Sequence, residues 1–135
     1  MKKIYFLFLF SSVLFLACKK PAPTPHSTEV VNVKYKDCTP IADNKAAVKI
    51  CLDSILQDSR CPINALCVWQ GVAEVKFSLH LNGVAYPFTL ATHQITGGTS
   101  TTAVVQQFKI FLRNLYPYPG TSIEPYYAEL EVTKL

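Results

Sequence analysis

The chain has 135 residues and a formal net charge of +4, from 13 Lys+Arg against 9 Asp+Glu. Lys2, Lys3, Lys19 and Lys20 all lie near the N-terminus, so residues 29–135 carry equal numbers of both signs and are neutral. A basic surface for nucleic acid is therefore not indicated, and the length of that region suits one domain around a single core.

In chain order, Lys2-Lys3 precede an apolar run from Ile4 to Leu16, broken only by Ser11 and Ser12, and then Ala17 and Cys18. A cationic start followed by a short apolar stretch and a small residue is the layout of a secretory signal. The run falls short of the roughly 20 residues that a spanning helix needs, so residues 1–17 are expected to be a cleaved signal peptide. Leu14-Phe15-Leu16-Ala17-Cys18 resembles a bacterial lipobox, with Phe15 where Leu is usual. The resemblance implies that Cys18 becomes the first mature residue and carries the lipid, and several acyl chains on one residue give firm attachment to a membrane. The expectation is a lipid-anchored protein of the bacterial cell envelope. No acidic residue directly follows Cys18, which favours the periplasmic side over surface export.

Residues 18–28 read as a tether. Pro21, Pro23 and Pro25 favour an extended polyproline-like spacer, and at ~3.1 Å per residue it holds a domain roughly 30 Å from the bilayer. His26 reads as part of this solvated linker.

Residues 29–135 read as all-β. Val31, Val33 and Tyr35 suggest an opening strand; Val48, Ile50 and Leu52 alternate with Lys49, Cys51 and Asp53. From Val72 to Leu81 the apolar positions Val75, Phe77, Leu79 and Leu81 alternate with Glu74, Lys76, Ser78 and His80, and Asn82-Gly83 follows, the dipeptide that a type I′ turn prefers. Folding about it pairs Leu81 with Val84, Leu79 with Tyr86, Phe77 with Phe88 and Val75 with Leu90. A slip of one residue breaks every apolar pair, so the register is well specified. Pro87 falls opposite Ser78 and marks residues 84–91 as an edge strand or an interrupted one. Residues 103–115 fit a helix through Val104, Phe108, Phe111, Leu112 and Leu115 and a strand through Phe108, Ile110 and Leu112; the β-rich surroundings favour the strand. Tyr126, Ala128, Leu130 and Val132 alternate with Tyr127, Glu129, Glu131 and Thr133 at the C-terminus. The fold class expected is a single antiparallel β-sandwich or barrel stapled by two disulfides.

With Cys18 assigned to the lipid, Cys38, Cys51, Cys61 and Cys67 form an even set in an exported chain and read as two disulfides. Three pairings are possible; joining nearest neighbours gives Cys38 with Cys51, which would tie the opening strand to the next, and Cys61 with Cys67, which closes a short loop. Their spacing has no Cys-x-x-Cys and no adjacent His, so neither a metal site nor a redox pair is indicated. Asp58-Ser59-Arg60-Cys61-Pro62, then Cys67-Val68-Trp69-Gln70-Gly71, resembles a family of small bacterial secreted proteins and lipoproteins with this signature and no established biochemical activity. The resemblance extends from about Lys45 to Leu135 and implies a β-rich envelope domain with a structural disulfide. In physical terms Asp58 and Ser59 suit side-chain-to-backbone turn bonds, and Arg60 suits Asp58 or backbone carbonyls. Pro62 fixes a backbone angle, Gly71 permits an unusual turn, and Trp69 is expected to cover the disulfide from the core side.

No catalytic constellation is evident: His80 lies on the polar face of a strand, His93 in a loop before Gly97-Gly98, and no nucleophile elbow or carboxylate pair stands out. No cofactor is implied. The leading expectation is a noncatalytic binding module for a protein, peptide or glycan of the envelope. Its candidate recognition surfaces are the ring residues Ile63, Asn64 and Leu66 and the aromatic loop of Tyr116 and Tyr118. Inhibition of an envelope hydrolase by the Cys61–Cys67 ring is the alternative, and an uncharacterised enzyme the third.

Overall fold

The computed structural model describes residues 27–43, 46–121 and 125–135. The signal segment, Cys18 and most of the tether lie outside the described residues. Eight strands run in chain order: β1 (Thr28–Lys34), β2 (Cys38–Ile41), β3 (Val48–Asp58), β4 (Ala73–Leu81), β5 (Val84–Ala91), β6 (Thr102–Val105), β7 (Phe108–Tyr116) and β8 (Tyr127–Lys134). They form two four-stranded antiparallel sheets, β1-β8-β7-β6 and β2-β3-β4-β5. The inner faces pack together, as the alternating sequence requires. Val33, Ile50, Leu52, Val75, Phe77, Leu79, Phe108, Ile110, Leu112 and Leu130 are buried between them. Each such side chain stabilises the domain by about 1.5–3 kcal/mol relative to leaving it in water.

The β4–β5 hairpin has the expected register in every pair, including Pro87 opposite Ser78. Asn82 and Gly83 both take positive φ, at 50° and 86°, as a type I′ turn demands. β5 is an edge strand, where the missing donor of Pro87 faces no further strand. The β1 ladder begins at Thr28 opposite Thr133, and Lys134 N donates to Ser27 O at 3.3 Å. The sheet therefore starts inside the segment read as tether.

Residues 103–115 are strand, but not a single one. β6 and β7 form a hairpin around Gln106-Gln107, with Gln106 at φ 55°. Leu112 pairs with Leu130 and Asn114 with Glu129, so Arg113 is the extra residue of a β-bulge. The bulge shifts the alternation by one. Phe108, Ile110 and Leu112 enter the core before it, and Leu115 after it.

Both disulfides join nearest neighbours, Cys38 with Cys51 and Cys61 with Cys67. Cys38 is not in the opening strand. It begins β2, in the other sheet, directly opposite Cys51 of β3, so this bond holds a four-residue edge strand to its neighbour. By chain entropy each staple is worth ~2–3 kcal/mol, the longer loop more. The Cys61→Ala/Cys67→Ala variant is accordingly expected to lose about 2 kcal/mol in urea unfolding and to keep its far-ultraviolet spectrum.

The strand directions give the sandwich two distinct ends. The turns at Asn82-Gly83 and Gln106-Gln107, the start of β1 and the C-terminus lie at one end. The Asp58–Ala73 connection, the start of β8 and the end of β7 lie at the other.

Candidate functional site

The signature segment is the β3–β4 connection. Past the last ladder pair, Asp58 with Ala73, the two strands stay zipped: Ser59 N donates to Val72 O and Cys61 N to Gln70 O, both at 2.8 Å. Ser59 Oγ donates to Val72 O at 2.9 Å and accepts from Val72 N at 3.2 Å. The close approach is possible because residue 71 is glycine. A Cβ there would lie 1.8 Å from Ser59 O, and φ is +70°.

Arg60 locks this connection to the opposite sheet. Its side chain is almost wholly buried, at 6% exposure. Nε and Nη2 grip the two carboxylate oxygens of Asp58 at 2.8 and 2.7 Å. Nη1 donates to Leu115 O, and Nη2 also donates to Pro117 O at 2.9 Å. The ring of Tyr118 covers the guanidinium, 4.7 Å from its carbon. The planar fork of arginine suits this combination of a bidentate carboxylate, two carbonyls and an aromatic face. Arg60 thus meets both alternatives read from the sequence at once.

Trp69 corrects one expectation. It does not cover the disulfide from the core side but is 58% exposed, and Val68 and Leu66 project fully into solvent, with Ile63 also exposed. The zipped strands end at Cys61 and Gln70, so residues 62–69 stand beyond the sandwich, where there is no core to enter.

The two surfaces singled out in the sequence meet here. Ile63 N donates to Pro119 O at 3.2 Å, and Gly120 lies against Asn64 and Pro62 so closely that a Cβ would come within 2.9 Å of Asn64 Oδ1. Tyr116 is half-buried, stacked on Tyr127 at 5.0 Å and edge-on to Tyr118 at 6.3 Å. It is a packing residue, whereas Tyr118 retains exposure. Between ring and loop runs a shallow groove of about 250 Å³ lined by Ile63, Tyr116, Pro117, Tyr118, Thr121, Pro125 and Tyr127. A second, polar cleft of about 130 Å³ also borders Tyr118, among Arg60, Gln70, Thr92, His93, Arg113 and Asn114. Sequence reasoning did not single out Arg113, because nothing in the chain announces its bulge.

His80 is far from this end. Ser78 Oγ sits 3.1 Å from Asp53 Oδ1 and 3.3 Å from His80 Nε2. The serine lies between the other two, so the carboxylate does not orient the imidazole as a catalytic triad requires. His93 is exposed and lines the polar cleft. Comparison with protein-family models, curated proteins and solved structures gives no match.

Proposed function

We propose that the protein is a lipid-anchored cell-envelope lipoprotein whose β domain is a noncatalytic binding module, engaging its partner through the stapled end. One observation carries the reading. In the segment from Asp58 to Gly71, Asp58, Ser59, Arg60, Cys61, Cys67 and Gly71 are all engaged in holding the loop. Ile63, Leu66, Val68 and Trp69 contribute four exposed apolar side chains that the fold does not use. A cluster of large apolar groups held in water on a stapled loop has the character of an interaction surface, and the staple lowers the ordering cost of binding. The two disulfides point to an oxidising, extracytoplasmic compartment. Among the described residues no helix is long and apolar enough to cross a membrane.

The direction of display supports the same reading. β1 starts at the end opposite the ring, and eight residues of β8 separate the two ends by about 25 Å. A tether from Cys18 therefore pulls on the far end, and the apolar tip faces away from the anchoring bilayer.

Leu66→Ala with Trp69→Ala is expected to leave stability within about 0.5 kcal/mol of wild type, as for substitutions outside packed positions. The same variant is expected to lose the partner that copurifies with the wild-type lipoprotein from its own crosslinked cells. Retained copurification would count against the tip. Because Trp69 is the sole tryptophan, its emission also reads this end directly: ready quenching by acrylamide in the free protein, protection in the complex.

The inhibitor reading draws on a narrower observation, the exposed run Ile63, Asn64, Ala65 and Leu66 between two bonded cysteines. It requires a dose-dependent loss of activity in protease or muramidase assays when the protein is added.

A further inference from the structure

Resting on that binding reading, we infer that the polar cleft beside Tyr118 is a carboxylate-binding pocket, and that the occupant of the stapled end is a peptide chain terminus. Its carboxylate sits in the cleft and its last apolar side chain lies on Tyr118.

The cleft is assembled from four separate stretches of chain. Gln70 comes from the β3–β4 connection, Thr92 and His93 from the segment after β5, Arg113 and Asn114 from β7, and Tyr118 from the turn beyond it. Its charged lining residues are both arginines among the described residues, and the carboxylates of Asp58 and Glu129 stand behind the wall. Arg60, at its floor, has its charge matched by Asp58 at 2.7 Å. Arg113 does not. Its ion pair with Glu129 is loose, at 3.8 Å, and its side chain is 44% exposed. A loose, exposed pair contributes little to stability, so the guanidinium fork is available to an anion. Arg113 is also the bulged residue of β7, and bulges are a common means of re-aiming one side chain at a site. Thr92 is fixed by its backbone bond to Ala73 O at 3.0 Å and by accepting from Ala73 N at 3.0 Å, which anchors the chain beside His93.

Size and continuity choose the ligand. About 130 Å³ holds one small functional group, well below the roughly 300–1,000 Å³ of a site that encloses a whole small molecule. The remainder of the ligand must lie outside, and the apolar groove shares Tyr118 as its wall. A cationic cleft joined to an apolar groove asks for an anionic group next to an apolar one. A planar carboxylate fits the guanidinium fork in bidentate fashion, and capture of a chain-terminal carboxylate is an established mode of peptide recognition. The groove is open and shallow, which suits a short peptide lying across it better than a fatty acyl chain, which needs an enclosed apolar tunnel.

The test uses the full-length lipidated protein in detergent micelles and fluorescein-labelled hexapeptides ending in Phe or Leu, each as the free acid and as the C-terminal amide. Fluorescence anisotropy is expected to show binding of the acids and at least tenfold weaker binding of the amides. Arg113→Gln, with an unchanged urea midpoint, is expected to abolish that difference, while Tyr118→Ala weakens both forms. Equal binding of acid and amide overturns the pocket. If that binding is still lost in the Leu66→Ala/Trp69→Ala variant, the tip reading survives. Absence of peptide binding, or displacement by decanoate in place of peptide, overturns the assignment of a peptide terminus. A persistent acid–amide difference in Arg113→Gln overturns the role of Arg113.

Discussion

Replacing Arg60 with alanine is expected to lower the unfolding free energy by about 3–5 kcal/mol, the usual cost of breaking a buried pair from one side. The change leaves the carboxylate of Asp58 without its bidentate partner and removes the donors from Leu115 O and Pro117 O. It also removes a buried arginine stem. For a domain of this size the melting temperature should fall by roughly 15 °C or more. Arg60→Lys is expected to recover only part of the loss, because one ammonium cannot reach a carboxylate and two carbonyls in a fixed fork. The double variant Asp58→Ala/Arg60→Ala should cost less than the sum of the single ones, since no uncompensated charge remains. Urea unfolding with the disulfides intact checks all three. A loss below about 1 kcal/mol for Arg60→Ala would show that the guanidinium does not hold the sheets together.

Gly71→Ala is the second large effect. The added Cβ would stand 1.8 Å from Ser59 O and 2.6 Å from its carbonyl carbon, both backbone atoms that cannot rotate away. The strands must part, and the bonds Ser59 N to Val72 O and Cys61 N to Gln70 O go with them. Two hydrogen bonds at about 1 kcal/mol each and a left-handed backbone at roughly 1–2 kcal/mol set the expected loss near 3–4 kcal/mol. Gly83→Ala is the matched control. It also has positive φ, at +86°, but a Cβ there meets nothing within 4 Å, so only the left-handed term of roughly 1–2 kcal/mol applies. The difference between the two variants in urea unfolding measures the close approach itself. Equal losses would mean that the strands beside Gly71 are free to separate.

How far each feature was legible in the chain follows from whether its cause was local. The β4–β5 hairpin could be read to the residue, since Asn82-Gly83 sets the turn and strict alternation sets the register. β8 was equally plain. Residues 103–115 mixed helical and strand periods for two physical reasons. Gln106-Gln107 makes a two-residue turn without Asn or Gly, and the Arg113 bulge puts Leu115 in the core out of phase with Leu112. Trp69 was misplaced because a large aromatic normally goes to a core, and only the ladder shows that the strands end at Gln70. Ile63, Asn64, Leu66 and Tyr118 were legible as candidates, but their meeting at one end depends on how two sheets superpose. The polar cleft had no local signal at all, being built from a few residues of each of several segments.

The division of the signature segment into a holding part and a displayed part is tested most directly by placing a photocrosslinking phenylalanine analogue at single positions of the lipoprotein in its own cells. Positions 66 and 69 lie on the exposed tip, and position 111 lies on the exposed outer face of β7. Positions 66 and 69 are expected to yield the same dominant adduct, position 111 none of it, and Gly71→Ala is expected to remove it. The same adducts from all three positions, or none from 66 and 69, would contradict the claim that the stapled end is where this protein binds.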